Sequence, residues 1–211
     1  KPIIRNARAR FVMSVAALGM FIIWFFVAFV ARSIIQKRST GDSGIRAGGL
    51  QATAGSIEWW AGWTFALALI AGFAAPIAEI AGYEPMTTNT WLRGVGVIVG
   101  AIGIVATFLA QMNMGSDWRI GVDTDEQTGL VTNGAYRAVR NPIFTAMIVA
   151  ATGLAMMVPS PVSIAATALL VVAVELQVRF VEEPHLNRLH GDDYRRYSSQ
   201  VGRLVPGLGR L

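Results

Sequence analysis

The sequence predicts an all-α integral membrane protein with about five transmembrane helices, the last two forming a hairpin, followed by a polar helical tail. Three observations carry this. Only 15% of the 211 residues are charged, where a soluble domain carries roughly a quarter. The uncharged positions fall in long runs, 11–31, 59–78, 94–116 and 142–174, each long enough to span a bilayer. The Lys and Arg residues gather between those runs, mostly on one side.

Five spans follow, roughly 11–31, 57–81, 92–112, 143–158 and 162–181. The last run is divided by Pro159-Ser160-Pro161, which leaves room for two short helices and a tight turn. The first run is too long, and wrongly flanked, for a cleaved signal peptide. The sequence opens on Lys1, which predicts that a few residues precede it in the native chain. With five spans, the 32–56 loop, the 113–141 loop and the tail share one side, and with Arg179 they hold 13 of the 18 basic residues. The positive-inside rule makes that side cytoplasmic. Lys1, Arg5, Arg8 and Arg10 pull the other way. The expected location is the cell inner membrane, with the C-terminus in the cytoplasm. The net charge of +5 is accounted for by these flanking bases, so nucleic acid is not an expected partner.

Two parts differ in character. Residues 1–110 are three apolar helices with short connections. Residues 111–211 hold a polar connector, the hairpin 142–181 and the tail. Gly94, Gly96, Gly100 and Gly103 imitate a dinucleotide fingerprint, but no strand precedes them, and small residues let membrane helices approach closely. The loop 40–56 reads as a surface connection. Residues 185–200 look helical.

The chain has no cysteine, which excludes disulfides, thiolate nucleophiles and cysteine-bound metals. Asp123, Asp125 and Glu126 lack the glycine and distal Glu of a calcium loop. His185 and His190 lack the zincin spacing, so no metal is expected. Glu175, Arg179 and Glu182 recur at i, i+4 and i+7, which on an α-helix predicts one shared face. Such a face reads either as an interfacial salt bridge or as the lining of a site. Trp118, Tyr136, Phe144, Phe180, Tyr194 and Tyr197 gather nearby, and aromatic faces attract cations.

One segment is specific. Leu130-Val131-Thr132-Asn133-Gly134-Ala135-Tyr136, then Arg140-Asn141-Pro142-Ile143-Phe144, resembles the Arg-His-Pro segment of the isoprenylcysteine carboxyl methyltransferase family and related membrane phospholipid methyltransferases. Glu182-Glu183-Pro184-His185-Leu186, His190 through Tyr197, and Val201 through Pro206 match its later motifs in order and spacing. The resemblance covers about 90 residues. It implies S-adenosylmethionine as cofactor, in a pocket under the C-terminal tail. Thr128, Gly129, Leu130 and Val131 would hold the adenosine by backbone contacts. Tyr136, Asn141, Pro142, Ile143 and Phe144 would form the pocket wall, and Glu182 would meet the ribose or the amino group. Asn141 stands where the family has His, and Phe144 where it has Tyr. Asn keeps hydrogen-bonding capacity without a charge, and Phe lacks the hydroxyl.

The implied reaction is methyl transfer to a carboxylate of a lipidic or amphipathic substrate reaching the site from the bilayer. A carboxylate is already ionised at neutral pH, so the protein's work is alignment and exclusion of water. Arg179 and Arg140 are candidates to orient the acceptor. A phospholipid amine acceptor would instead need a general base, for which Glu183 is the candidate. An NADPH-dependent sterol or enone reductase of related architecture, and a non-enzymatic relative, are the other readings.

Overall fold

The protein is described from a computed structural model, which covers residues 2–46, 49–121 and 129–211, with side chains from Ala7 onward. Its helices follow the uncharged runs. Helix α1 (Pro2–Phe25) passes through a π-helical stretch, Phe26–Ala31, into α2 (Arg32–Thr40) as one rod. The connection expected from residue 32 is therefore helical for a further nine residues. Nothing in Arg32–Thr40 breaks a helix, and the rod stops where Gly41 takes φ 82°, a left-handed cap that suits glycine.

Helix α3 (Ile57–Ile80) starts at a Ser56 cap and α4 (Thr90–Asn113) at an Asn89 cap, each side chain accepting from the first free backbone N–H groups. Helices α5 (Pro142–Met157) and α6 (Pro161–Leu176) both begin on proline, whose missing N–H costs nothing there. A second π stretch, Gln177–Glu182, leads into α7 (Glu183–His190), and α8 (Asp192–Gln200) follows. The tail expected as one helix over 185–200 is thus two, broken at Gly191, where φ is 51°.

Among the described residues, four helices are long and apolar enough to cross a membrane: Ala7–Thr40, Ile57–Ile80, Thr90–Asn113 and Pro161–His190. Helix α5 is apolar but only 16 residues long, about 24 Å against a hydrocarbon core of ~30 Å.

Helix α4 lies along α5 and α3 along α6, so helices from both halves of the sequence share one bundle. The α4–α5 contact depends on its glycines. A Cβ on Gly153 would overlap the Gly100 backbone nitrogen, and one on Gly103 would overlap the Ala150 nitrogen. Three residues of the dinucleotide-like run, Gly96, Gly100 and Gly103, are buried in that contact. Gly94 faces open space. Phe21, Trp24, Ala28, Met147 and Ala150 form one core cluster, and Ala68, Leu170, Val174 and Val178 another.

Each π stretch frees backbone groups from the helical ladder. In the first, the Ala28 carbonyl accepts from the Gln111 amide of α4 at 2.8 Å. At the opposite end of the bundle, Arg93 of α4 donates to Glu79 of α3 at 2.8 Å, and both side chains are buried.

Candidate active site

The segment expected to carry chemistry is fixed from three directions. After α4, Asn113 accepts from the Ala135 N–H at 3.1 Å. Gly134 above it has φ +56°, and a Cβ there would collide with the Asn113 side-chain oxygen. Only glycine fits both the backbone angle and the space. The one-turn helix Gly134–Arg137 then buries Tyr136.

From the other side comes the tail. The Arg140 N–H donates to the Gly202 carbonyl at 2.8 Å and the Asn141 N–H to Arg203 at 3.1 Å. Asn141 also donates from its side chain to Arg203, and Thr145 donates to the Leu204 carbonyl at 2.8 Å. Leu204 packs on the core cluster of Leu170, Val174 and Val178. The strand-like stretch after α8 is thus threaded against the start of α5.

The third tie is ionic. The Glu183 carboxylate accepts from Arg140 at 2.6 Å and from Arg203 at 2.7 and 2.9 Å. Arg140 also donates from Nη1 to the Ser198 and Val201 carbonyls and from Nη2 to Gly209, while its Nε is buried without a partner among the described residues. All three side chains are at least nine-tenths buried. These contacts bear on the chemistry expected of two residues. Three of Glu183's four acceptor sites are occupied by guanidinium, so it is no free base. Arg140 faces the tail, so it is no open hand for an acceptor. Together with Arg203, whose role the sequence reading missed, they lock the tail onto the hairpin.

The adjacent carboxylate has the opposite surroundings. Glu182 has a single long contact, 3.4 Å from the Gln177 amide, and no cation pairs with it among the described residues. Its neighbours are phenols. Burial first, and then the charge of Glu182 and of Tyr197, hold the Tyr136 hydroxyl above its usual range. Burial likewise pushes Tyr197 up to about 12. Both phenols therefore stay neutral and able to donate near pH 7. The Tyr197 hydroxyl donates to the Tyr136 carbonyl at 2.6 Å, and Tyr194 stands edge-on to Tyr197 with ring centroids 6.4 Å apart.

Arg179 does not join them. The shared face expected of residues 175, 179 and 182 assumed α-helical rotation, but the chain is π-helical over Gln177–Glu182. The wider turn rotates position 182 away from 179. Arg179 pairs with Glu175 on the exposed outer surface. Ile143 and Phe144, expected in the pocket wall, pack partly into the helical core; Phe144 touches both clusters. Gly129 is exposed and lies near Asp117, Leu130 and Val131 are half-buried, and Pro142 is buried at the start of α5. Thr128, with Asp123, Asp125 and Glu126, lies outside the described residues.

The bundle of apolar helices carries a polar cap with one carboxylate that pairs with no cation among the described residues, and the known proteins it is similar to are membrane methyltransferases. The family described as phospholipid methyltransferase matches residues 91–193. Protein-S-isoprenylcysteine O-methyltransferase A of Arabidopsis thaliana is 28% identical over 144 residues, covering 67% of this chain and 73% of that one. Its B form is 26% identical over the same shares. The solved eukaryotic intramembrane Ras methyltransferase, an isoprenylcysteine carboxyl methyltransferase, shares the fold with a TM-score of 0.62 at 18% identity, covering 93% of this chain and 68% of that one. Within that class, the chain is similar to the isoprenylcysteine carboxyl methyltransferases and to the phospholipid methyltransferase family.

Proposed function

We infer that this protein binds S-adenosylmethionine and transfers its methyl group to a carboxylate of a lipidic or amphipathic substrate that arrives from the bilayer. The observation that carries the reading is the contrast between Glu182 and Glu183. One carboxylate is saturated by two guanidiniums. The next has no cation and stands among neutral phenols. A half-buried carboxylate with no cation beside it is poorly compensated, and a ligand that brings a positive group supplies what is missing. The donor set therefore fits the cofactor, with Glu182 meeting its amino or sulfonium group and the Tyr136 and Tyr194 phenols, whose hydroxyls sense the Glu182 charge, nearby. Gly129 is exposed and Leu130 and Val131 are half-buried, and their backbone groups would meet the adenosine.

Bound here, S-adenosylmethionine supplies an electrophilic methyl group on a sulfonium. The chain supplies the rest. The Arg140–Glu183–Arg203 lock holds the tail against α5 and keeps water out. The hairpin fixes the height of Glu182, and the acceptor is held in line at ~3–3.5 Å. Arg179, exposed on the outer surface of the last span, is the cation in reach of a carboxylate approaching through the lipid.

The amine-acceptor reading needs a general base. Glu183 is committed to Arg140 and Arg203, which favours the acceptor that arrives already ionised. The test has two stages. A ligand that binds only the folded state at ~100 times its dissociation constant adds ~2.7 kcal/mol, so S-adenosylmethionine should raise the melting temperature and NADPH should not. Membranes given methyl-labelled cofactor should then yield a product that releases labelled methanol in mild alkali, as an ester does and an N-methyl amine does not. Stabilisation by NADPH alone would return the reductase reading.

A further inference from the structure

Helix α2 continues from the C-terminal end of the first span and packs against the connector that follows α4. It lies wholly outside the segment matched by the phospholipid methyltransferase family, residues 91–193. Its first residue, Arg32, is 2% exposed. The guanidinium lies 4.7 Å from the centre of the Trp118 ring and donates to the Gly115 carbonyl. One turn on, Gln36 donates to the Ser116 carbonyl at 2.6 Å. The Gly44–Arg46 stretch then pairs with Ile120, which donates to Gly44 at 2.8 Å and accepts from Arg46 at 3.0 Å. A Cβ at Gly44 would crowd Trp118. The whole connector from Gly115 to Ile120 is therefore gripped by α2 and the loop after it.

The grip has a cost. No carboxylate pairs with Arg32 among the described residues, and its Nε and Nη1 are buried without a partner. A buried charge held only by a ring and a carbonyl is a poor source of stability. What the arrangement does achieve is placement: the connector borders the candidate cofactor segment through Asp117, which approaches Gly129, just beyond the end of α4, where Asn113 holds Ala135.

We propose that Arg32 is a positioning residue for the cofactor segment, acting through Trp118 and the 115–118 carbonyls, and that α2 belongs functionally to the methyl-donor site. This rests on the reading that residues 129–144 with Glu182 bind S-adenosylmethionine. It predicts a split between the two substrates: loss of Arg32 weakens the methyl donor and leaves the apparent affinity for the acceptor, which approaches from the lipid side, nearly unchanged.

The test uses the full chain in nanodiscs. Arg32→Ala and Gln36→Ala are titrated with S-adenosylmethionine, and amide hydrogen exchange is followed in parallel without any ligand. Arg32→Ala should speed exchange at Trp118 and Ile120 while α5 and α6 keep the parent's protection, and cofactor affinity should fall about tenfold or more, since a hydrogen bond from a charged donor is lost. Arg32→Lys keeps a cation over the ring but not the planar fork, and should recover part of the affinity. Unchanged exchange at 115–121 in Arg32→Ala overturns the proposal whatever the cofactor does. Faster exchange with unchanged cofactor affinity overturns it as well. An equal loss of affinity for donor and acceptor would reduce Arg32 to general support of the fold. A parent protein that fails to bind S-adenosylmethionine instead refutes the cofactor reading, and with it the assignment of what the connector positions, while exchange still reports whether Arg32 grips it.

Discussion

Replacing Glu183 by Gln keeps the size of the side chain and removes the charge that faces Arg140 and Arg203. Both guanidiniums are at least nine-tenths buried, so neither can swing out to water. Breaking a buried ion pair from one side costs about 3–5 kcal/mol, because the abandoned charge stays buried. In a chain of this length each kcal/mol lowers the melting temperature by roughly 2–4 °C, so Glu183→Gln should melt on the order of 10 °C below the parent. Arg203→Gln should do much the same. The double variant should lose less than the sum of the two, because each change removes the reason for the other's cost. The assay is thermal melting in detergent, with tail release followed by proteolysis near Val201. If Glu183→Gln melts within a degree or two of the parent, the lock is not what holds the tail, and the separation of roles between Glu182 and Glu183 fails with it.

Other expectations follow from single contacts. Gly153→Leu puts a side chain where the Gly100 backbone already lies, and should prevent recovery of folded protein from membranes as judged by size exclusion. Gly134→Ala, at φ +56° and against Asn113, should be recovered folded but bind cofactor weakly, because the turn bearing Tyr136 must move. Glu79→Gln strands Arg93 at the far end of the bundle, and should cost about 3–5 kcal/mol in melting without altering cofactor affinity at saturation. Asp42 is held down to about 2, first by its hydrogen bond from Arg46 and then by the Gly44 N–H. A depressed carboxyl favours the ordered loop above its ordinary pKa and loses that effect as pH falls through its own, so Gly44 amide protection should decline between about pH 4 and pH 2.

Much of the fold could be read from charge and spacing. The uncharged runs located the long helices because a helix satisfies all its backbone groups in lipid within a single apolar segment of that length, and Pro159-Ser160-Pro161 located the hairpin. The glycines of α4 were readable as packing surface because their spacing made one helix face. What failed were inferences that assumed regular α-helical rotation. Residues 175, 179 and 182 share a face only if the helix stays α, and no residue in Gln177–Glu182 announces a π stretch. Arg32 looked like any cytoplasmic base at a span's end, since burial under Trp118 depends on a connector eighty residues away. The Glu182-Glu183 pair was found as a motif, but its division of labour was hidden. That division is set by Arg203, which reaches Glu183 only after the tail has folded back.

The most direct measurement is calorimetric titration of S-adenosylmethionine into the parent protein and Glu182→Gln, side by side. Glu182 is a carboxylate with no cation partner among the described residues and one long contact from Gln177, so neutralising it should leave melting at or above that of the parent. The loss of a charged hydrogen bond worth ~1.5–3 kcal/mol should weaken the cofactor roughly tenfold to hundredfold. Equal affinity in the two proteins, or no binding by the parent at all, would contradict the placement of the cofactor at Glu182.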